Sequence, residues 1–237
     1  MKIALLGYGK MGKAIEQVAL SRGHEIVLRK TSGQFFDGLT AADVAIDFSI
    51  PSAAVENITA ALEAGIPVIS GTTGWLGDYE KMTRLCQERQ GAFLYGSNFS
   101  LGVNLFFELN VFLAKMMRGF NQYKVRMTEI HHTQKLDAPS GTAISLARDI
   151  IDHSDYSGWG LNDGAADEIP ITAERIDSVP GTHTVYYECP IDTIEITHTA
   201  HSREGFAQGA VLAAEWIVGK TGVFSMKDVL GLNREVR

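Results

Sequence analysis

The stretch Lys2-Ile3-Ala4-Leu5-Leu6-Gly7-Tyr8-Gly9-Lys10-Met11-Gly12 decides how the first half of the chain is read. Four successive apolar residues are too few for a helix and suit a strand buried on both faces; a glycine-rich turn follows, and residues 14–20 then have helical spacing. Strand, G-x-G-x-x-G, helix is the setting in which that pattern means dinucleotide binding. Gly7 permits the tight turn, Gly9 lets the backbone approach a diphosphate without a Cβ clash, and Gly12 lets the helix pack closely on the strand. The free N–H groups of the first helical turn then meet the anion. A glycine turn with a merely structural purpose is the alternative.

Outward from this unit the alternation continues. Short apolar runs at 26–28, 44–48, 67–70 and 92–95 are separated by amphipathic stretches at 53–64 and 82–90. Right-handed crossovers of this kind build a Rossmann-like doubly wound parallel sheet with helices on both faces. Past residue 100 the pattern changes to a helix at 105–117, a strand at 123–130, a helix at 142–152, a loop at 154–168 and further strands. The clearest of these is 192–201, where Ile194, Ile196, His198 and Ala200 alternate with polar residues, as in a half-covered antiparallel sheet. The expected fold class is therefore α/β, with a second α+β domain carrying a mixed or antiparallel sheet. A helix at 207–218 and the segment 224–230 close the chain. The domains expected are 1–100, completed by 206–237, for the dinucleotide, and 101–205 for substrate and oligomer contacts.

Composition narrows the class. The 237 residues are 45% apolar, enough to bury a proper core, and carry 21 basic against 28 acidic side chains, a net charge of −7. With no run of Lys or Arg, nucleic acid is not an expected partner. Cys86 and Cys189 lack zinc-ribbon spacing and read as free thiols of a reducing compartment. Residues 3–6 are too short for a secretion signal and no long apolar run suggests a membrane span, so a cytoplasmic location without membrane contact is expected.

About 20 residues past the glycine turn, where an acidic side chain would hold the adenosine ribose, stand Arg29 and Lys30. Two cations in that place favour the extra 2′-phosphate of NADPH, with a solvated basic turn as the alternative. Asp47-Phe48-Ser49 and Gly71-Thr72-Thr73-Gly74 each follow a parallel strand, at the carboxyl edge where α/β folds bind ligands. Ser97-Asn98-Phe99-Ser100 ends the last strand of the first domain and is expected at the mouth between domains. Simple turn geometry would also account for these glycines and serines.

The densest polar segment is Glu129-Ile130-His131-His132-Thr133-Gln134-Lys135-Leu136-Asp137-Ala138-Pro139-Ser140-Gly141-Thr142-Ala143. If the strand runs through His132, the two histidines point to opposite faces and take different roles. Histidine holds and releases a proton near neutral pH, which suits it to acid–base work. Ser140, Gly141 and Thr142 open the next helix, and with Lys135 nearby they form an anion site suited to an acidic substrate. An ordinary N-cap is the plain alternative. A metal set of His131, His132, Asp137 and His153 matches no ligand spacing, so no metal is expected. His183, His198 and His201 read as strand or surface residues without a convergent partner.

These motifs, with Thr197-His198, Ser202-Arg203, Phe206-Ala207 and Gly209-Ala210, resemble the bacterial 4-hydroxy-tetrahydrodipicolinate (dihydrodipicolinate) reductases of lysine and diaminopimelate biosynthesis over nearly the whole chain. The resemblance implies hydride transfer from NADPH or NADH to a cyclic imine dicarboxylate, giving tetrahydrodipicolinate. It implies that His131 is the proton donor or its close assistant, that Lys135 acts with it, and that Lys135, His132, Ser140, Gly141 and Thr142 hold the carboxylates. Gly7, Met11, Gly12, Gly71 and Thr73 are the implied cofactor contacts; Gly9, Arg29, Lys30, Phe48, Ser97 and Phe99 join them from the reading of the loops. It also implies a homotetramer joined through the second sheet. Two features depart from the family pattern: Arg29-Lys30 where an acidic residue is common, and Pro190-Ile191-Asp192 where a Gly-containing turn is expected. Other readings of the same residues are a nucleotide-binding redox-sensing regulator and an amino or hydroxy acid dehydrogenase.

Overall fold

The computed structural model describes residues 1–31 and 33–233; Ser32 and the expected extension of the first domain over 234–237 lie outside them. In chain order the elements are β1 (Lys2–Leu6), α1 (Lys10–Ser21), β2 (Glu25–Lys30), β3 (Val44–Asp47), α2 (Pro51–Glu63), β4 (Val68–Ser70), α3 (Tyr79–Glu88) and β5 (Ala92–Tyr95). Then come α4 (Leu101–Met117), β6 (Lys124–His131), α5 (Gly141–Ile151), β7 (Gly158–Leu161), β8 (Glu168–Arg175), β9 (Gly181–Glu188) and β10 (Thr193–Ala200). The chain ends with α6 (Glu204–Ile217), β11 (Gly222–Phe224) and α7 (Met226–Leu230). Two compact units result, Met1–Leu101 with Glu204–Arg237, and Gly102–Arg203.

The first unit holds a six-stranded sheet in the order β11-β5-β4-β3-β1-β2, with every pairing parallel. Its strands read as unbroken apolar runs because both faces are covered: Ile3, Leu5 and Ile46 pack with Ile15, Ala210 and Ala214, while Ala4, Leu6 and Ala45 pack with Ile58, Leu62 and Met82. Each buried Ile, Leu or Met among them contributes roughly 1.5–3 kcal/mol by leaving water. Strand order reverses between β1 and β3, which places the ligand crevice of an open α/β sheet outside their carboxyl ends. Small residues let α6 lie close: a Cβ on Gly209 would stand 1.7 Å from the Phe99 carbonyl oxygen.

The second unit holds a five-stranded sheet, β10-β9-β6-β8-β7. The half-covered antiparallel sheet expected from 192–201 holds only for β10, β9 and β6; β6 with β8 and β8 with β7 are parallel, so the sheet is mixed. The shared direction of β6 and β7 follows from α5, which carries the chain back between them, and β8 pairs parallel with both. Within the expected loop 154–168 lies the short strand β7, whose glycines hid its period-two signal. Along β6 the buried positions are Val125, Met127, Glu129 and His131, one face of the strand, and that face turns from apolar to ionisable at its end.

Candidate active site

In the first unit the glycine turn is built around two close approaches. Gly7 has φ +120°, and a Cβ there would lie 2.2 Å from the Phe48 carbonyl oxygen; a Cβ on Gly12 would lie 2.3 Å from the Gly7 carbonyl oxygen. Gly9, by contrast, faces no protein atom within 4 Å and caps α1 without any side-chain hydrogen bond. With no side chain capping α1, its first-turn N–H groups are left for an anion such as a diphosphate. A cavity of 280 Å³ opens there, lined by Gly7, Gly9, Lys30, Thr31, Phe48 and Asn57 among others.

The loop after β3 is held by the buried Asp47, which accepts hydrogen bonds from Ser49 Oγ (2.6 Å), Asn57 Nδ2 (2.8 Å) and Ser70 Oγ (2.8 Å). Burial pushes its carboxyl above the usual range, and those donors pull it part of the way back. Phe48 folds over Gly71, where a Cβ would meet its ring at 2.2 Å. Met11 is half-buried against the sheet, and Thr73 and Ser97 are exposed at the same carboxyl edge.

Two expected cofactor contacts stand differently. Phe99 is 1% exposed, with its ring 5.4 Å from that of Phe48, so its side chain is a core wedge and presents nothing to a ligand. An apolar ring after a strand end is read equally well as pocket or core until the neighbouring helix, here α6, is placed on it. Arg29 and Lys30 also divide. Arg29 pairs with Glu16 (Nε to Oε1 2.8 Å), which Tyr8 also engages, whereas Lys30 lines the cavity with its Nζ 4.6 Å from the Phe36 ring centroid. Among the described residues no carboxylate pairs with Lys30, because alternation along β2 turns it away from Glu16.

In the second unit the sheet register assembles a cluster that the sequence kept apart. Glu129 on β6 stands opposite His183 on β9, and His131 stands opposite Arg175 on β8. Glu129 has no exposed surface and accepts from Ser140 N–H at 2.9 Å and Arg175 Nη2 at 3.1 Å, with His131 Nδ1 at 3.7 Å and His183 Nε2 at 3.8 Å. Burial alone would raise Glu129; the Ser140 donors, the His131 ring and the Arg175 guanidinium hold its carboxyl below the usual carboxylate range. Burial lowers His131, an effect Glu129 opposes and Lys135 and Arg175 reinforce. Burial and the neighbouring His131 push His183 down to about 3, so it is a neutral ring. His183 is therefore not the unpartnered strand residue expected: its ring lies 5.0 Å from that of His131, and its Nε2 is 3.0 Å from Ser140 Oγ.

Ser140 caps α5, its hydroxyl accepting from Ala143 N–H at 3.2 Å. That bond, the His183 contact and the Glu129 contact occupy its polar groups, so the expected role of Ser140 as a direct anion ligand gives way to one of support. The opening of α5 is left with Gly141, which has no protein atom within 4 Å of a notional Cβ, and the half-buried Thr142. Lys135 Nζ contacts both oxygens of Asp137 at 2.8 Å. Asp137 is largely exposed, so the pair is worth only about 0–1 kcal/mol and yields readily to another carboxylate. Arg175, unmarked by any motif, also donates to the Asp137 carbonyl at 2.7 Å and ties this loop to Glu129. His132 leaves the strand on the other side, half-buried, with Nε2 3.4 Å from Arg203 Nη2 above a cavity of 340 Å³. Glu129, His131 and His183 bring potential ligand atoms within 4.8 Å, but Arg175 and Ser140 already engage two of them, and the guanidinium repels a cation; the cluster is a Glu129–Arg175 ion pair with two imidazoles packed beside it. The alternation Val125, Met127, Glu129, His131 against Tyr187, Val185, His183 was the one signal in the sequence that could have paired them.

A parallel sheet with an open glycine turn, and a second unit with a buried imidazole beside a serine-capped helix start, are the architecture of a nucleotide-dependent oxidoreductase of the two-unit Rossmann type. Residues 29–99 match the family described as dihydrodipicolinate reductase, N-terminus, and residues 102–230 match dihydrodipicolinate reductase, C-terminus. A 4-hydroxy-tetrahydrodipicolinate reductase of Christiangramia forsetii is 57% identical over 233 residues, 97% of this chain and 98% of that protein. One from Methanocaldococcus jannaschii is 36% identical over 240 residues, 97% of this chain and 81% of that protein. Among solved structures, the dipicolinate-bound dihydrodipicolinate reductase from Paenisporosarcina sp. TG-14 superposes with a TM-score of 0.77 at 20% identity, covering 95% of this chain and 97% of that one, and shares the fold. The chain belongs to the dihydrodipicolinate reductase family.

Proposed function

We propose that this protein reduces 4-hydroxy-tetrahydrodipicolinate to tetrahydrodipicolinate in lysine and diaminopimelate biosynthesis, one hydride and one proton entering as one water leaves. The observation that carries this reading is the convergence, in a chain of this family, of the buried His131–Glu129 pair with the α5 start. Lys135 lies on the loop that Arg175 ties to the same carboxylate. Reduced pyridine nucleotide supplies the hydride when bound. The open face of Gly9, the bare N–H groups of α1 and the adjoining cavity fit its diphosphate, held by Gly7, Gly9 and Gly12.

His131 donates the proton. Lys135 exchanges its exposed Asp137 partner for one substrate carboxylate, and the N–H groups of Gly141 and Thr142 receive a carboxylate at the positive end of α5. His132, beside Arg203, adds polar contact at the rim. The test is to supply the synthase-generated substrate and follow nicotinamide absorbance: consumption equal to the substrate added supports the reading, and no consumption rejects it. Lys135→Ala should raise the substrate KM about tenfold or more and lower turnover, as expected for a lost charged hydrogen bond, in the same assay.

NADPH is the preferred donor in this reading and NADH the second, because Lys30 brings to the cavity an ammonium with no carboxylate partner among the described residues, while Arg29 is engaged by Glu16. Lys30→Glu should raise the KM for NADPH by about tenfold or more with little change for NADH, and Arg29→Ala should change the ratio far less. Equal effects on both cofactors would reject the phosphate-binding role. No helix of the described residues is long and apolar enough to cross a membrane. Two free thiols accord with a reducing, cytoplasmic setting. The outer strand β10, with Ile194 exposed, supports assembly of a homotetramer through the second sheet.

A further inference from the structure

Glu129 is a fully buried carboxylate where four elements meet, and the reaction as described moves no proton or substrate through it. Its oxygens gather the α5 start through Ser140 N–H, β8 through Arg175, and the ring nitrogens of His131 and His183. The Nδ1 of His131 is buried with no hydrogen-bond partner among the described residues, and Glu129 Oε2, at 3.7 Å, stands just outside hydrogen-bond range. The other ring nitrogen faces Gly181, where a Cβ would lie 3.2 Å from Nε2. The nearest acceptor for an Nδ1–H is thus Glu129 Oε2, a few tenths of an ångström beyond hydrogen-bond range.

We propose that Glu129 is a positioning residue: its carboxylate fixes His131 with the proton on Nδ1, reserves Nε2 for donation, and draws the anion-binding start of α5 onto the same point. This rests on the reading of His131 as the proton donor. One carboxylate then couples donor and carboxylate pocket, so that a shift of either is felt by the other. A carboxylate behind an imidazole also stabilises the imidazolium.

The charged groups around His131 are Glu129 on its own strand, Lys135 and Asp137 from the following loop, Arg175 from β8, and the neutral His183 from β9. Two carboxylates face two cations. Removing the Glu129 charge leaves the cations in excess, so the imidazolium loses its proton at lower pH; removing the Arg175 charge does the reverse. Activity that needs the imidazolium falls as pH rises through that point.

The experiment is the pH profile of kcat/KM for four full-length variants, with folding checked by circular dichroism. Glu129→Gln should lower kcat about 10–100-fold with KM within a few-fold, and should move the high-pH fall to lower pH. Glu129→Asp should recover part of kcat and leave the fall where the unaltered enzyme has it. Arg175→Gln should move the fall to higher pH, which keeps the proposal testable should Glu129→Gln not fold. A merely structural Glu129 would lower kcat in the first two variants and move neither fall; that result, or an Arg175→Gln profile that does not move upward, overturns the proposal. The fourth variant, His131→Gln, separates the two ideas: if it keeps full turnover the donor assignment fails, and if it loses turnover while the profiles stay fixed only the positioning role fails.

Discussion

His131→Gln is expected to lower kcat by about 10²–10⁴-fold while leaving cofactor affinity within a few-fold. The amide has nearly the imidazole's reach but cannot supply a proton, and His131 belongs to the second unit whereas the glycine turn belongs to the first. The loss should depend on pH in a particular way. Burial, with Lys135 and Arg175 nearby, holds His131 below the ordinary histidine range, so the free enzyme carries a neutral ring at neutral pH. A bound dianionic substrate adds negative charge beside the ring and raises its proton affinity. The high-pH fall in kcat should therefore lie above that in kcat/KM for the unaltered enzyme, and in His131→Gln neither should report this group. Steady-state rates across pH, with cofactor affinity from fluorescence titration, check both parts. Full turnover in the variant would refute the assignment.

Gly7→Ala is expected to cost about 2–5 kcal/mol in stability and to abolish measurable cofactor binding. A Cβ there must take up φ +120° and displace the Phe48 carbonyl oxygen, which would be 2.2 Å away. Neither side gives easily: Gly7 N–H donates to the Lys30 carbonyl at 3.1 Å, Phe48 N–H to the Leu6 carbonyl at 3.2 Å, and Ser49 N–H to Thr72 Oγ1 at 2.8 Å. Gly9→Ala makes the informative contrast. Its Cβ meets no protein atom, so the urea midpoint should hardly move, yet nucleotide affinity should fall about tenfold or more if, as proposed, the diphosphate takes that space. Calorimetric titration with NADPH, beside urea unfolding, measures the two effects separately. Tight binding by Gly9→Ala would remove the turn from the cofactor site.

Local patterns carried the first unit and the polar loop. The turn from Gly7 to Gly12 is legible because its spacing encodes close approaches between neighbours in sequence, and the start of α5 because Pro139 and Ser140 mark it. Glu129, Arg175 and His183 were illegible for the opposite reason. They meet through the pairing of β6 with β8 and β9, and register across strands far apart in sequence leaves no local trace. Phe99 and Ser140 show a subtler limit: residue type and motif suggest both as ligand contacts, but only packing reveals that the ring is core and that the hydroxyl is already bonded. Helix α4 begins at Leu101, four residues before its expected start, because its exposed face carries Leu101, Leu105 and Leu109 and blurs the amphipathic period.

The most direct measurement is isotopic. The enzyme is given 4-hydroxy-tetrahydrodipicolinate and NADPH deuterated at the transferable position of the nicotinamide, in ordinary water, and the product is analysed by mass spectrometry. Tetrahydrodipicolinate carrying one deuterium per turnover, formed at a rate that collapses in His131→Gln, is the predicted result. Product without deuterium, or an undiminished rate in the variant, would contradict the joint action of nucleotide hydride and imidazole proton.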